Sequence, residues 1–179
     1  PSRSMPRSEA AAIFARLLAE KNGDTISTAA NTKFADIPAH AWYSGYVKYL
    51  SNNGITYGKS KTIFAPNDAI TRAEFTTMAV RFFDVYGDGD AEIMEQFSGF
   101  NDVSSGYWAA EYIKYAALHG WINGYGDGSF HADREINRAE VVTIVNRLLG
   151  READEDYIAD NLRKLNTFPD VSRKHWAYY

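Results

Sequence analysis

The chain contains no cysteine in 179 residues. That absence excludes disulfides and thiolate metal sites. It also lacks any apolar run approaching the length of a membrane span, so no membrane insertion is expected. Basic excess is missing too: 19 Lys and Arg face 23 Asp and Glu, for a net charge of −4. This argues against a nucleic-acid binder that tracks phosphates. Histidine is scarce, and His40, His119, His131 and His175 show no ligand spacing. What the chain has in plenty is aromatic residues: 12 Tyr, 10 Phe and 4 Trp, within a 45% hydrophobic composition. A disordered chain does not look like this. The length suffices for one domain with a real core or two small ones.

An internal repeat organises the rest. Phe34, Asp36, Ile37 and Trp42 recur as Phe100, Asp102, Val103 and Trp108, and again as Phe168, Asp170, Val171 and Trp176. The offsets are 66 and 68 residues. Between the first two copies the register continues without a gap. Gly54, Gly58 and Phe64 answer to Gly120, Gly124 and Phe130, and Arg81 answers to Arg147. The stretch ITRAE, 70–74, returns as INRAE, 136–140, and a blurred copy, MPRSE, stands at 5–9. The layout is one domain over 1–179. Residues 5–20 form the second half of a first repeat, 34–83 and 100–149 are complete and count as the second and third repeats, and 168–179 begin another. The connectors at 84–99 and 150–167 carry apolar residues at helical spacing, in AEIMEQF and DEDYIADNLRKL.

Each repeat reads as loop, helix, turn, helix. Residues 42–53 place Trp42, Tyr46, Tyr49 and Leu50 on one helical face, and Gly54 ends the helix. Residues 108–119 repeat the pattern before Gly120. GYGDGSF, 124–130, reads as a tight turn or short hairpin. The second helix covers 71–83 or 137–149, with Val141, Ile144, Val145 and Leu148 on one stripe. Thr71 with Glu74, and Asn137 with Glu140, form capping boxes. Pro6 replaces the cap in the first copy, so Ser4 is the candidate cap there. Three helix pairs about a common axis would give a central bundle with three outer lobes. The terminal halves, 5–20 and 168–179, are expected to meet and complete the third lobe.

The motif residues divide by what the helix needs. Glu9, Glu74 and Glu140 have a sufficient role as caps, and Phe34, Phe100 and Phe168 as core anchors. Trp42, Trp108 and Trp176 fit two roles equally, core residues with a satisfied indole N–H or platforms for the apolar face of a sugar. Asp36, Asp102 and Asp170 can serve a loop or cap, or accept ligand hydroxyls. Arg7, Arg72 and Arg138 stand at the first helical position, where the macrodipole disfavours a cation. Either they are solvated or paired with a neighbouring lobe, or they bind an anion together with free helix N–H groups. A calcium loop in DVYGDGDAEIME, 84–95, is not supported: Tyr86 takes the second ligand position and the glycine is misplaced. No metal and no cofactor is expected, and no Ser–His–Asp set stands out.

F-x-D-[IV]-x4-W, the following glycine, GYxDGxF and [TN]-R-A-E together resemble the S-layer homology (SLH) family. The resemblance covers nearly the whole chain outside the connectors. It implies a mainly α, pseudo-threefold, three-pronged domain that anchors extracellular proteins non-covalently to the bacterial cell wall or S-layer. It implies a secondary cell-wall polysaccharide as partner, often carrying pyruvylated N-acetylmannosamine, bound in grooves between lobes. Carried over by motif, the binding residues would be Arg72 and Arg138, with Asp36, Asp102, Trp42 and Trp108, then Arg7, Asp170 and Trp176. The module is expected to act as a monomer and not as an enzyme. The sequence departs from the family pattern at Pro6 and Ser8, at Lys59 and Lys61 in ITYGKSKTIF, and where the last repeat stops. Two other readings compete. One is a structural or protein-interaction repeat whose arginines are tied up in inter-lobe salt bridges. The other is a wall hydrolase, which would need paired carboxylates that the repeats do not offer.

Overall fold

A computed structural model describes residues 2–87 and 97–151, together with Asp156, Asp160, Asn161, Val171 and His175. The described residues form a mainly helical structure with five named helices: α1 (Arg7–Asn22), α2 (Ser44–Asn52), α3 (Arg72–Tyr86), α4 (Ala110–Leu118) and α5 (Arg138–Leu148). Asp170, Trp176 and Phe168 lie outside the described residues, as do most of both helical connectors. The expected meeting of 5–20 with 168–179 falls there too.

The capping boxes form as the sequence predicts. The Thr71 side chain accepts from the Glu74 N–H, and Glu74 reaches back to the Thr71 N–H. Asn137 and Glu140 do the same for α5. In α1 the cap is Pro6, with no side-chain cap bond. Ser4 does not substitute for it. Its hydroxyl is turned to Glu135 instead, donating at 2.6 Å. The first helix of each repeat starts later than expected, at Ser44 and Ala110. Trp42 and Trp108 therefore sit in the preceding turn and not on a helical face. Gly54 and Gly120 do end their helices, with φ of 73° and 67°, a conformation that only glycine adopts without strain. GYGDGSF is a tight turn in which Gly128 N–H donates to Tyr125 O and Tyr125 N–H to Ser129 O.

Helices pair across repeat boundaries. α1 packs on α2 and α3 on α4, whereas α2 and α3, which belong to one repeat, make no contact. The periodic faces of a repeat are thus buried against its neighbours. α1, α3 and α5 converge at their N-termini through a closed ring of backbone hydrogen bonds. Met5 N–H donates to Ile136 O (2.9 Å), Ile136 N–H to Ile70 O (3.0 Å), and Ile70 N–H to Met5 O (2.8 Å). An outer ring follows: Arg7 N–H to Asp68 O, Arg72 N–H to Arg134 O, Arg138 N–H to Arg3 O. The helix-start amides that have no partner within the helix are satisfied by the preceding segment of a neighbour. Met5, Ile70 and Ile136 are buried at this junction and belong to the same core as Phe14, Phe75 and Phe82.

Candidate functional site

The first-turn arginines have different fates. Arg7 and Arg72 are almost fully buried, at 4% and 5% exposure. Arg7 Nε donates to Phe64 O at 2.8 Å and Nη1 pairs with Glu74 at 3.0 Å. Arg72 Nε donates to Phe130 O at 2.9 Å, Nη1 to Glu140 at 2.8 Å, and Nη2 to Asn123 O at 3.3 Å. Each arginine therefore reaches the phenylalanine carbonyl and the capping glutamate of the following repeat. That contact offsets the unfavourable dipole position, because the guanidinium faces a carboxylate in a water-poor site. Arg138 is exposed, and its side chain has no partner among the described residues.

The aspartates meet the same peptides from the other side. Asp36 accepts from the Phe64 and Ala65 amides at 2.9 and 2.6 Å. Asp102 accepts from the Phe130 and His131 amides, both at 2.7 Å. Ala65 and His131 have φ of 59° and 55°, so each carboxylate pins a strained turn. Burial raises the Asp102 carboxyl, but the two amides outweigh it and hold the group below its usual range. In each repeat the sequence Asp–Phe–Arg–Glu becomes one connected unit, with Asp on the Phe N–H and the preceding repeat's Arg on its C=O.

Trp42 and Trp108 are 53% and 57% exposed, so neither is a core residue. Tyr43 and Tyr46 flank Trp42, and Tyr107 flanks Trp108. The Tyr107 hydroxyl is pushed up to about 12, by burial and then by its 2.6 Å hydrogen bond to Asp133.

A groove of about 270 Å³ opens over Arg72, lined by Trp121, Tyr125, Glu140, Thr143 and Arg147 among others. The Tyr125 ring lies 5.2 Å from the Arg72 guanidinium and 5.6 Å from that of Arg134. Arg134 also binds Glu140 and the Tyr125 hydroxyl. Burial, which is only partly offset by Tyr125 and Glu140, lowers the Arg72 guanidinium below its ordinary value. It stays protonated at any ordinary pH. Arg147, on the groove wall, is exposed and has no side-chain partner among the described residues. Trp42, Trp108, Asp36 and Asp102 do not line this groove.

Sequence reasoning missed Arg134, Tyr125, Trp121 and Arg147 as groove residues. Their signal was partial. Arg147 belongs to a second arginine series with Arg81 and Arg16, and the first of these pairings was visible as a repeat. In the structure Arg16 stacks on Tyr46 and Arg81 on Tyr112, each also bonded to the phenol oxygen. Among the described residues no cluster of His, Asp and Glu could hold a metal ion. No helix there is long and apolar enough to cross a membrane.

The fold and this repeated unit define a helical repeat module. The S-layer homology domain family matches residues 33–76 and 99–142. The chain belongs to that family. It is 33% identical over 99% of its length to cell surface glycoprotein 1 of Acetivibrio thermocellus, covering 8% of that protein. It is 31% identical over 99% of its length to the cellulosome-anchoring protein of the same organism, covering 38%. A third relative is the surface-layer 125 kDa protein of Lysinibacillus sphaericus, 31% identical over 83% of the chain and 12% of that protein. The chain thus spans well under half of each of these relatives. By name they are surface, S-layer and anchoring proteins. The relatives also include proteins named as enzymes, the amylopullulanase of Thermoanaerobacterium thermosulfurigenes among them, of which the match covers 8%.

Proposed function

We propose that the chain is a non-catalytic module that anchors its parent protein to the cell envelope by binding a secondary cell-wall polysaccharide. The bound unit is an anionic sugar such as a pyruvylated one, held in the grooves between lobes. One observation carries this reading: the Arg72 groove combines a buried guanidinium, an exposed one at Arg147 without a side-chain partner among the described residues, and the partly exposed ring of Tyr125. A carboxylated sugar needs that combination, a charged fork for the carboxylate and an aromatic face for the ring. Arg72 supports the floor and Arg147 meets the ligand charge. Arg138 does so at the next helix start, where it is exposed. Trp42 and Trp108 offer platforms outside the groove, and Asp36 and Asp102 hold the turns on which the grooves are built. Arg7, Asp170 and Trp176 complete the proposed set by their repeat positions. Two or more grooves on one polymer would add avidity.

A second reading is favoured by a specific observation. Arg7 and Arg72 are already paired with Glu74 and Glu140, as a purely structural repeat would have them. A pull-down on purified wall material, before and after chemical removal of pyruvate, separates the two. The anchoring reading expects binding to fall after removal, and to fall likewise in an Arg138→Ala, Arg147→Ala variant that keeps both buried pairs. Undiminished binding in both arms would overturn recognition of the carboxylate by these arginines, and no binding to wall material at all would leave the structural reading standing.

A further inference from the structure

Asparagine followed by glycine occurs three times, at Asn22–Gly23, Asn53–Gly54 and Asn123–Gly124. The pair is chemically labile, because glycine places no side chain between its amide nitrogen and the asparagine carboxamide. Two of the pairs are tied into helix ends. Gly23 N–H donates to Glu20 O at 3.4 Å, and Asn22 Nδ2 to the Tyr49 hydroxyl at 3.4 Å. Gly54 N–H donates to Ser51 O at 3.3 Å, and Asn53 Nδ2 to Tyr49 O at 2.9 Å. In Asn123–Gly124 neither the glycine N–H nor the carboxamide has a partner among the described residues, and Asn123 is exposed.

A cation touches this third pair. Arg72 Nη2 donates to Asn123 O at 3.3 Å. That carbonyl belongs to the peptide whose nitrogen is Gly124 N. When the nitrogen gives up its proton, the negative charge is shared with Asn123 O. A guanidinium held there favours the nucleophilic form of the peptide. The fold requires the glycine but not the asparagine. A Cβ on Gly124 would lie 2.5 Å from Phe100 Cε1 and 2.6 Å from Ser129 O. Gly58, at the same place in the second repeat, is confined in the same way by Phe34 and Ile63, yet Tyr57 precedes it.

We propose that Asn123–Gly124 is a self-modification site, at which the chain converts its own asparagine to a carboxylate. Gly124 N attacks Asn123 Cγ. The new N–C bond forms, the Cγ–Nδ2 bond breaks, and ammonia leaves with the proton lost from Gly124 N. Water then opens the cyclic imide at either carbonyl, which leaves aspartate or isoaspartate at position 123. The new carboxylate lies in the groove that Arg72 and Arg147 line. It supplies from within the anion that the groove would otherwise take from a ligand. The isoaspartyl form also lengthens the main chain beside the confined Gly124. An aged chain therefore binds an anionic ligand less tightly there. This blocking step rests on the anchoring reading; the conversion itself does not.

The test ages the whole chain in mildly alkaline buffer, folded and, in parallel, unfolded in urea. Peptide mapping by mass spectrometry with isoaspartate detection follows each Asn–Gly pair. In the folded chain Asn123 should convert about fivefold or more faster than Asn22 and Asn53, whose groups must first be released by local opening. Urea removes the Arg72 contact and both helix ends, so the rates should converge. Equal rates in the folded chain, or the same ratio in both conditions, would overturn the self-modification. Binding to purified wall material is read separately, for the fresh chain, the aged chain and an Asn123→Asp variant. Both altered forms should bind about fivefold less tightly than the fresh chain. Undiminished binding by an aged chain already mapped as converted would overturn the blocking step, whether or not the variant folds. A fresh chain that does not bind overturns the anchoring reading and the blocking step with it, while the conversion stands or falls on the masses alone.

Discussion

Arg7 and Arg72 hold the same helical position and make the same first contact, Nε to a phenylalanine carbonyl, yet their surroundings diverge within one residue shell. Around Arg72, Glu140 is shared with Arg134, and Tyr125 covers both cations. Around Arg7, Glu74 has no second arginine among the described residues, because Asp68 occupies the Arg134 position and pairs outward with Lys59. The aromatic residue moves as well: Tyr57 stands where the third repeat has Asn123, and Lys59 where it has Tyr125. The residues that recur build the frame, and those that do not recur set the chemistry at its mouth. A repeat protein can in this way keep one architecture and offer different surfaces.

Removing the shared carboxylate should expose the difference most strongly. Glu140→Gln leaves Arg72 buried beside Arg134 with no counter-charge, and breaking such a pair costs about 3–5 kcal/mol. Glu74→Gln should cost about half as much, since Glu74 answers to one buried arginine and is itself more exposed. Urea unfolding of the two variants measures both. A larger loss at Glu74 would break the comparison as drawn.

The helix starts of α2 and α4 sharpen it further. Tyr107 precedes Trp108 and bonds Asp133, whereas the second repeat has Ala41 and Asn67 at these positions. The Tyr107 hydroxyl is raised to about 12 in the folded chain. An unfolded tyrosine ionises near 10. The folded state therefore holds the proton longer, and its contribution is complete below about pH 10 and lost as pH rises towards 12. Tyr107→Phe should cost about 1 kcal/mol at neutral pH and flatten that alkaline decline. Stability of both proteins measured from pH 8 to 12 tests it; parallel curves would mean that Tyr107 is not the group responsible.

Much of this frame is local and therefore legible in the sequence. Capping boxes need only Thr71 or Asn137 and a glutamate three residues on, and C-terminal glycines need only a change in the sign of φ. The repeat register placed Asp, Phe, Arg and Glu at matching positions. Their assembly into one unit was not legible, because Arg7 and Arg72 act on the following repeat and periodicity names a face without naming its partner. For the same reason the pairing of α1 with α2 and of α3 with α4 could not be read from within a repeat. The tryptophans were undecided because a helix start can face either way; the later starts of α2 and α4 leave Trp42 and Trp108 in solvent. Arg134 and Tyr125 escaped notice since they lie where the repeats differ.

The smallest difference concerns the turns themselves. Ala65 and His131 both adopt a left-handed conformation, and the amide of each is held by the aspartate of its repeat. A non-glycine residue pays about 1 kcal/mol there, of which a glycine recovers part, less the extra freedom it brings to the unfolded chain. Ala65→Gly should therefore stabilise by about 0.5 kcal/mol. His131→Gly gains the same backbone relief but loses the imidazole's contacts with Ser129, at 3.0 Å, and with the Tyr125 ring, 4.8 Å between centres. It should be neutral or destabilising. Thermal unfolding of the two variants, side by side, decides the matter. An equal gain in both would mean that the imidazole contacts contribute nothing to the third-repeat turn, and that His131 owes its place there to something other than folding.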